Sequence, residues 1–109
     1  MSQYFFIGVG GSGMSAIAQT LAASGHKVLG SDRNYDRDRN NPLYAMLRSS
    51  GIGLFPQDGS GVDGDTDTVV VSTAIEDTVP DMKKARELGI PVKHRSEVLA
   101  EIVNSGRGV

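Results

Sequence analysis

Gln3-Tyr4-Phe5-Phe6-Ile7-Gly8-Val9-Gly10-Gly11-Ser12-Gly13-Met14-Ser15 decides how this chain reads. Its apolar run, bounded by glycine, suits a central parallel strand buried on both faces. The run breaks into a turn that spells G-x-G-x-x-G through Gly8, Gly10 and Gly13. Met14, Ile17, Ala18, Leu21 and Ala22 then recur at i, i+3, i+4, i+7 and i+8, one face of a helix. A strand, a glycine turn and a helix in that order let backbone approach a diphosphate closely and aim helix N–H groups at it. The opening therefore points to a nucleotide site.

The same alternation continues outward. Gly25 stands where a left-handed helix cap falls, and Lys27–Ser31 is a short second strand ending at Asp32. Residues 33–41 are polar, mixed in charge and aperiodic, which reads as a loop. Asn41-Pro42 forms an N-cap with proline at the first helical position, and Leu43, Met46 and Leu47 are expected inward, with Gly51 closing the helix. Ile52–Phe55 gives a third strand, and 56–66 a glycine- and aspartate-rich loop. Thr68–Ser72 is the clearest β-branched strand. A helix over Val79–Leu88 closes at Gly89, Pro91–His94 forms the last strand, and a final helix begins at Ser96-Glu97 with Val98, Leu99, Ile102 and Val103 inward. The pattern is α/β: a Rossmann-like, five-stranded, mostly parallel sheet with helices on both faces.

Composition narrows the class. The chain has 109 residues, enough for one domain with a real core. A hydrophobic share of 39% and a charged share of 22% are ordinary for a soluble globular protein. A net charge of −2 gives no broad attraction for nucleic acid or an anionic membrane. The absence of cysteine excludes disulfides and thiolate metal sites and agrees with a reducing compartment. No apolar stretch approaches the roughly 20 residues of a membrane span, and no signal sequence is visible, so a cytoplasmic setting is expected.

Ligands of doubly wound sheets bind beyond the carboxyl ends of the strands. That rule selects Gly8–Ser15, Ser31–Asn34, Ser72–Ile75 and His94-Arg95. Asp32 can accept hydrogen bonds from a ribose or a base, or serve simply as a turn or cap aspartate. Ser12, Ser15, Ser72 and Thr73 offer hydroxyls near phosphate or sugar, or cap turns. Arg95 can fork onto a phosphate or carboxylate and His94 can stack on a base, or both can lie solvated at a strand end. Asp63, Asp65 and Asp67 lack the central glycine and terminal glutamate of a calcium loop. No phosphate loop of the G-x-x-x-x-G-K-[ST] type, nucleophile elbow or catalytic triad pattern is present, so no catalytic residue is assigned.

Ile7-Gly8-Val9-Gly10-Gly11-Ser12-Gly13-Met14-Ser15, with Ala18 following, resembles the opening of the Mur ligases that take UDP-N-acetylmuramate. Gly30-Ser31-Asp32 resembles that family's second-strand motif and Val69–Ile75 its fourth. Arg86–Val92 and Arg95–Glu101 are similar to its closing stretch, so only residues 33–66 fall outside the likeness. The resemblance implies an N-terminal UDP-sugar domain at residues 1–109, without the central ATP domain and the C-terminal amino-acid domain. It implies no cofactor in this domain, with ATP and Mg2+ acting in the central one. The parent reaction would be an ATP-dependent amide formation in peptidoglycan synthesis or recycling, through an acyl phosphate of the muramyl carboxylate. Carried onto this sequence, Gly8 and Gly10–Ser15 (Gly10, Gly11, Ser12, Gly13, Met14, Ser15) would face the diphosphate and Asp32 the uridine. Ser72, Thr73, Ala74 and Ile75 would floor the site, with His94 and Arg95 at its edge. The isolated domain would bind without catalysing.

Two stretches depart from the alanine-adding members: the long charged loop Arg33–Asn41, which resembles the tripeptide-reattaching members, and Pro56–Gly64, which lacks a Gly-His pair. An NAD(H)-binding module of a dehydrogenase or regulatory protein would explain Gly8, Gly10, Gly13 and Asp32 equally well. It leaves Gly11, Met14-Ser15 and Ser72–Ile75 without a reason.

Overall fold

The structure, a computed structural model, describes residues 3–10, 13–32, 41–72 and 79–104, with side chains as far as Ile102. Expectations for Gly11, Ser12, Thr73, Ala74, Ile75, the body of the 33–41 loop and the Val103 side chain lie outside the described residues.

The elements alternate as the sequence predicts. In chain order they are β1 (Gln3–Ile7), α1 (Met14–Ala23), β2 (Lys27–Ser31), α2 (Pro42–Ser49), β3 (Gly53–Phe55), β4 (Thr68–Val71), α3 (Pro80–Glu87), β5 (Val92–His94) and α4 (Arg95–Asn104). The strands form one five-stranded sheet in the order β3-β2-β1-β4-β5, and every pairing is parallel. β1 is central because its side chains suit burial on both faces: Phe5, Phe6 and Ile7 are wholly buried.

Strand alternation divides the core in two. Phe6, Val28 and Val70 pack with Ile17, Ala18 and Leu21 of α1, Tyr44 and Leu47 of α2, and Val98 of α4. Phe5, Ile7 and Val69 pack with Met82 and Ala85 of α3 and with Val62. Helices thus cover both faces.

Local signals fix the helix ends. Asn41 Oδ1 accepts the Leu43 N–H at 2.9 Å, with Pro42 at the first helical position, an N-cap of about 1 kcal/mol. Two apolar expectations fail. Met46 and Leu99 are each 46% exposed. On α2 the inward stripe runs through Tyr44 and Leu47, and Met46 lies about 100° round from Leu47. On α4 Val98 takes the core position and Ile102 packs beside it, which turns Leu99 outward.

The aspartate-rich loop is stitched to the start of β1. Gln3 Nε2 donates to Asp63 Oδ1 and to Thr66 Oγ1, both at 3.2 Å. The Gln3 N–H donates to Asp67 Oδ2 at 2.7 Å, and the Asp67 N–H returns to the Gln3 carbonyl at 2.9 Å. These aspartates therefore hold the loop at the amino end of the sheet, away from the glycine turn.

Candidate functional site

Strand register brings the four expected segments to one edge. Ile7 pairs with Ser31 on one side and Val71 on the other, Ser31 pairs with Phe55, and Val71 pairs with His94. The residues that follow this row are Gly8, Asp32, Ser72 and Arg95. The strand order also reverses between β1 and β4, which places the glycine turn at the topological switch point where such sheets bind ligands.

Much of the glycine turn is fastened to the end of β2. The N–H groups of Gly8 and Val9 both donate to the Ser31 carbonyl, at 2.8 and 2.9 Å. The Gly10 N–H donates to Asp32 Oδ2 at 2.8 Å. A Cβ on Gly10 would stand 2.8 Å from that same oxygen, so only glycine lets the carboxylate come this close. Asp32 is buried, and its Oδ1 accepts the Tyr44 hydroxyl at 3.2 Å. It is thus a residue that sets the shape of the turn, whatever else it touches.

The groups left to meet an anion belong to α1. Gly13 precedes the helix at φ 83° with no side-chain cap, and the first turn holds no acidic residue. The first helical bond runs from the Ile17 N–H to the Gly13 carbonyl at 3.2 Å. The N–H groups of Met14, Ser15 and Ala16 accordingly have no carbonyl behind them within the helix, at its positive end. Met14's side chain is buried in the core, so any part it takes at the site comes through its backbone. Ser15 and Ser72 are half-buried.

Arg95 completes the cationic character. Its Nη1 lies 3.3 Å from where a Gly13 Cβ would stand, and among the described residues no carboxylate is paired with it. A guanidinium beside a helix start that no side chain caps suits a phosphate or carboxylate. His94, expected as a possible base-stacking group, is the residue on which α4 begins: its Nδ1 accepts the Ser96 N–H at 3.1 Å.

Sequence reasoning missed Tyr44 and Asp81, and it placed Ser31 at the edge without finding its partner. Tyr44 signals itself only by lying three residues before Leu47. Ser31 sits inside an expected strand end, and its hydroxyl donates to Asp81 Oδ2 at 2.5 Å. Asp81 Oδ1 in turn accepts the Gly59 N–H at 2.8 Å. An aspartate in the first turn of a helix reads as ordinary capping charge, and nothing local announces that it is wholly buried.

The fold and its edge define a Rossmann-like α/β domain with a helix start at the switch point that no side chain caps. Residues 3–107 match the family described as "Mur ligase family, catalytic domain", and the chain belongs to that family. The UDP-N-acetylmuramate–L-alanine ligase of Rubrobacter xylanophilus is 43% identical over 103 residues, which span 94% of this chain and 22% of that relative. The enzyme of the same name from Mesorhizobium japonicum is 44% identical over 104 residues, 95% of this chain and 21% of the relative. The chain thus spans about a fifth of the length of these curated relatives. Among solved structures, the UDP-N-acetylmuramate-alanine ligase of Thermotoga maritima superposes with a TM-score of 0.83 at 28% identity, over 96% of this chain and 23% of that one. A murein peptide ligase from Psychrobacter arcticus shares the fold, with a TM-score of 0.80 at 22% identity over 93% of this chain and 20% of its own.

Proposed function

We propose that residues 1–109 form a domain that binds UDP-N-acetylmuramate and orients it for an ATP-dependent, amide-forming ligase of peptidoglycan synthesis or recycling. The observation that carries this reading is Arg95 standing over Gly13 at the uncapped start of α1. The names of the curated relatives support the sugar nucleotide as the ligand.

In this reading Gly10–Ser15 lie against the diphosphate, which meets the N–H groups at the start of α1. Arg95 neutralises its charge. Asp32, held in place by Gly10 and Tyr44, meets the uridine, and Ser72–Ile75 form the floor. His94 lies at the edge. The domain contributes binding and orientation, which turn a bimolecular encounter into a positioned one. ATP and Mg2+ belong to a central domain of the parent enzyme, and a third domain takes the amino acid or peptide. Among the described residues no group of three or more His, Asp or Glu side chains could hold a metal ion. A cytoplasmic setting goes with a nucleotide-activated substrate, and no helix among the described residues is long and apolar enough to cross a membrane.

Calorimetric titration with UDP-N-acetylmuramate, UDP and NADH tests the reading. Heat from both uridine compounds and none from NADH is expected. Binding of NADH alone would replace this reading with a dinucleotide module.

A further inference from the structure

Arg95 owes its position to the first turn of α4, and that turn has an unusual start. β5 ends at His94 and α4 begins at Arg95, so no loop separates strand from helix. The chain must change from extended to helical backbone between adjacent residues, where the first helical N–H groups need partners. His94 supplies one of them. Its Nδ1 accepts the Ser96 N–H at 3.1 Å and lies 2.8 Å from Ser96 Oγ. In return the His94 N–H donates to Glu97 Oε1 at 3.3 Å. This is a variant of the capping box: an imidazole nitrogen accepts the second helical N–H, and the glutamate at the third position reaches back to the N–H of the cap residue.

A backbone N–H can only donate, so Nδ1 must carry a lone pair and the neutral ring its proton on Nε2. Arg95 sits between the two capping partners, with His94 before it and Ser96 after it. Val98, buried at the next turn, keeps the body of α4 on the sheet independently of the cap. Loss of the cap would therefore release the first turn without undocking the helix.

We infer that His94 is a positioning residue: by capping α4 through Nδ1 it holds Arg95 over the start of α1. The inference deepens the proposed nucleotide site and rests on it for its consequence in binding, though not for its geometry.

The experiment uses the 109-residue chain with His94→Ala and His94→Asn, since asparagine can accept the Ser96 N–H and has no ring to stack. Ring nitrogen shifts in the parent chain should show the Nε2–H form. Nuclear Overhauser contacts between Arg95 side-chain protons and the Gly13 Hα protons should be present in the parent, lost in His94→Ala and restored in His94→Asn. UDP affinity should fall about fivefold in the alanine variant and return to within about twofold in the asparagine variant. Contacts that persist in His94→Ala would overturn the inference, as would an asparagine variant that restores neither contact nor affinity. Should His94→Ala fail to fold, His94→Leu, which fills much of the ring's space without an acceptor, takes its place; Arg95–Gly13 contacts that persist there would overturn it equally. If no form binds UDP, the nucleotide reading fails, while the Overhauser contacts still decide the role of His94.

Discussion

The Tyr44 hydroxyl donates to Asp32 Oδ1 at 3.2 Å while Asp32 Oδ2 accepts the Gly10 N–H at 2.8 Å. One carboxylate thereby links α2 to the glycine turn. A buried carboxylate without such partners would be costly, so the three residues stand or fall as a unit. Tyr44→Phe should cost about 1.5–3 kcal/mol, the range for a hydrogen bond to a charged group, and should weaken UDP binding by loosening the turn. Asp32→Ala should cost at least as much, since it removes the acceptor of both the Gly10 N–H and the Tyr44 hydroxyl bond. Urea unfolding of both variants, with UDP titration alongside, checks this; a Tyr44→Phe variant as stable as the parent would sever the link.

Gly13 joins backbone conformation to the anion site. Its φ of 83° is one that L side chains rarely adopt, and an added Cβ would press on Arg95 Nη1 at 3.3 Å. Gly13→Ala should therefore cost about 1–3 kcal/mol of strain and lower UDP affinity by about tenfold or more, because the start of α1 and Arg95 shift together. Calorimetry on the folded variant reads the second effect, and unchanged affinity would remove Gly13 from the site.

Ser31 meets three partners at once. Its carbonyl takes the Gly8 and Val9 N–H groups, and its hydroxyl donates to the buried Asp81, which also holds Gly59. Ser31→Ala keeps the carbonyl and removes the hydroxyl. The expected loss is about 1.5–3 kcal/mol, with UDP affinity nearly unchanged. Guanidinium unfolding measures the first quantity. A large fall in affinity would mean that the hydroxyl acts on the site itself.

At the surface, Lys93 Nζ meets Glu101 Oε2 at 2.5 Å and joins β5 to α4. The hydrogen bond to Glu101 raises the Lys93 pKa above its ordinary 10.5. A raised folded-state pKa adds stability that is fully present below the unfolded value and is lost as pH climbs through the folded one. Lys93→Met should accordingly remove a small increment of Tm at pH 7–9 and leave no difference from the parent once the pH lies above the raised folded value. The increment should also shrink with added salt, since the pair is exposed. A difference that survived at high pH would have to come from packing of the lysine stem.

What was legible in the sequence was local. The double-faced apolar run of β1, the glycine turn and the helical period after it each depend on neighbours a few residues apart. So do Asn41 as a cap and the glycines at positive φ that close α1, α2 and α3: Gly25, Gly51 and Gly89. Met46 and Leu99 were misread for the complementary reason. On helices of eight and ten residues, adjacent apolar positions satisfy the period about equally well, and the surrounding core chooses between them.

The site divides along the same line. The sequence by itself determined which segments end strands, and the parallel α/β rule then placed Gly8, Asp32, Ser72 and Arg95 on one edge. Only the tertiary structure decided what each side chain does there. Asp32 turns back onto Gly10 and Tyr44, His94 caps the helix that follows it, Arg95 crosses to Gly13, and Asp81 is buried against Ser31. Periodicity and caps are encoded within a few residues of chain. The partner of a polar side chain is set by strand register and helix packing, which bring together residues as far apart as Gly13 and Arg95.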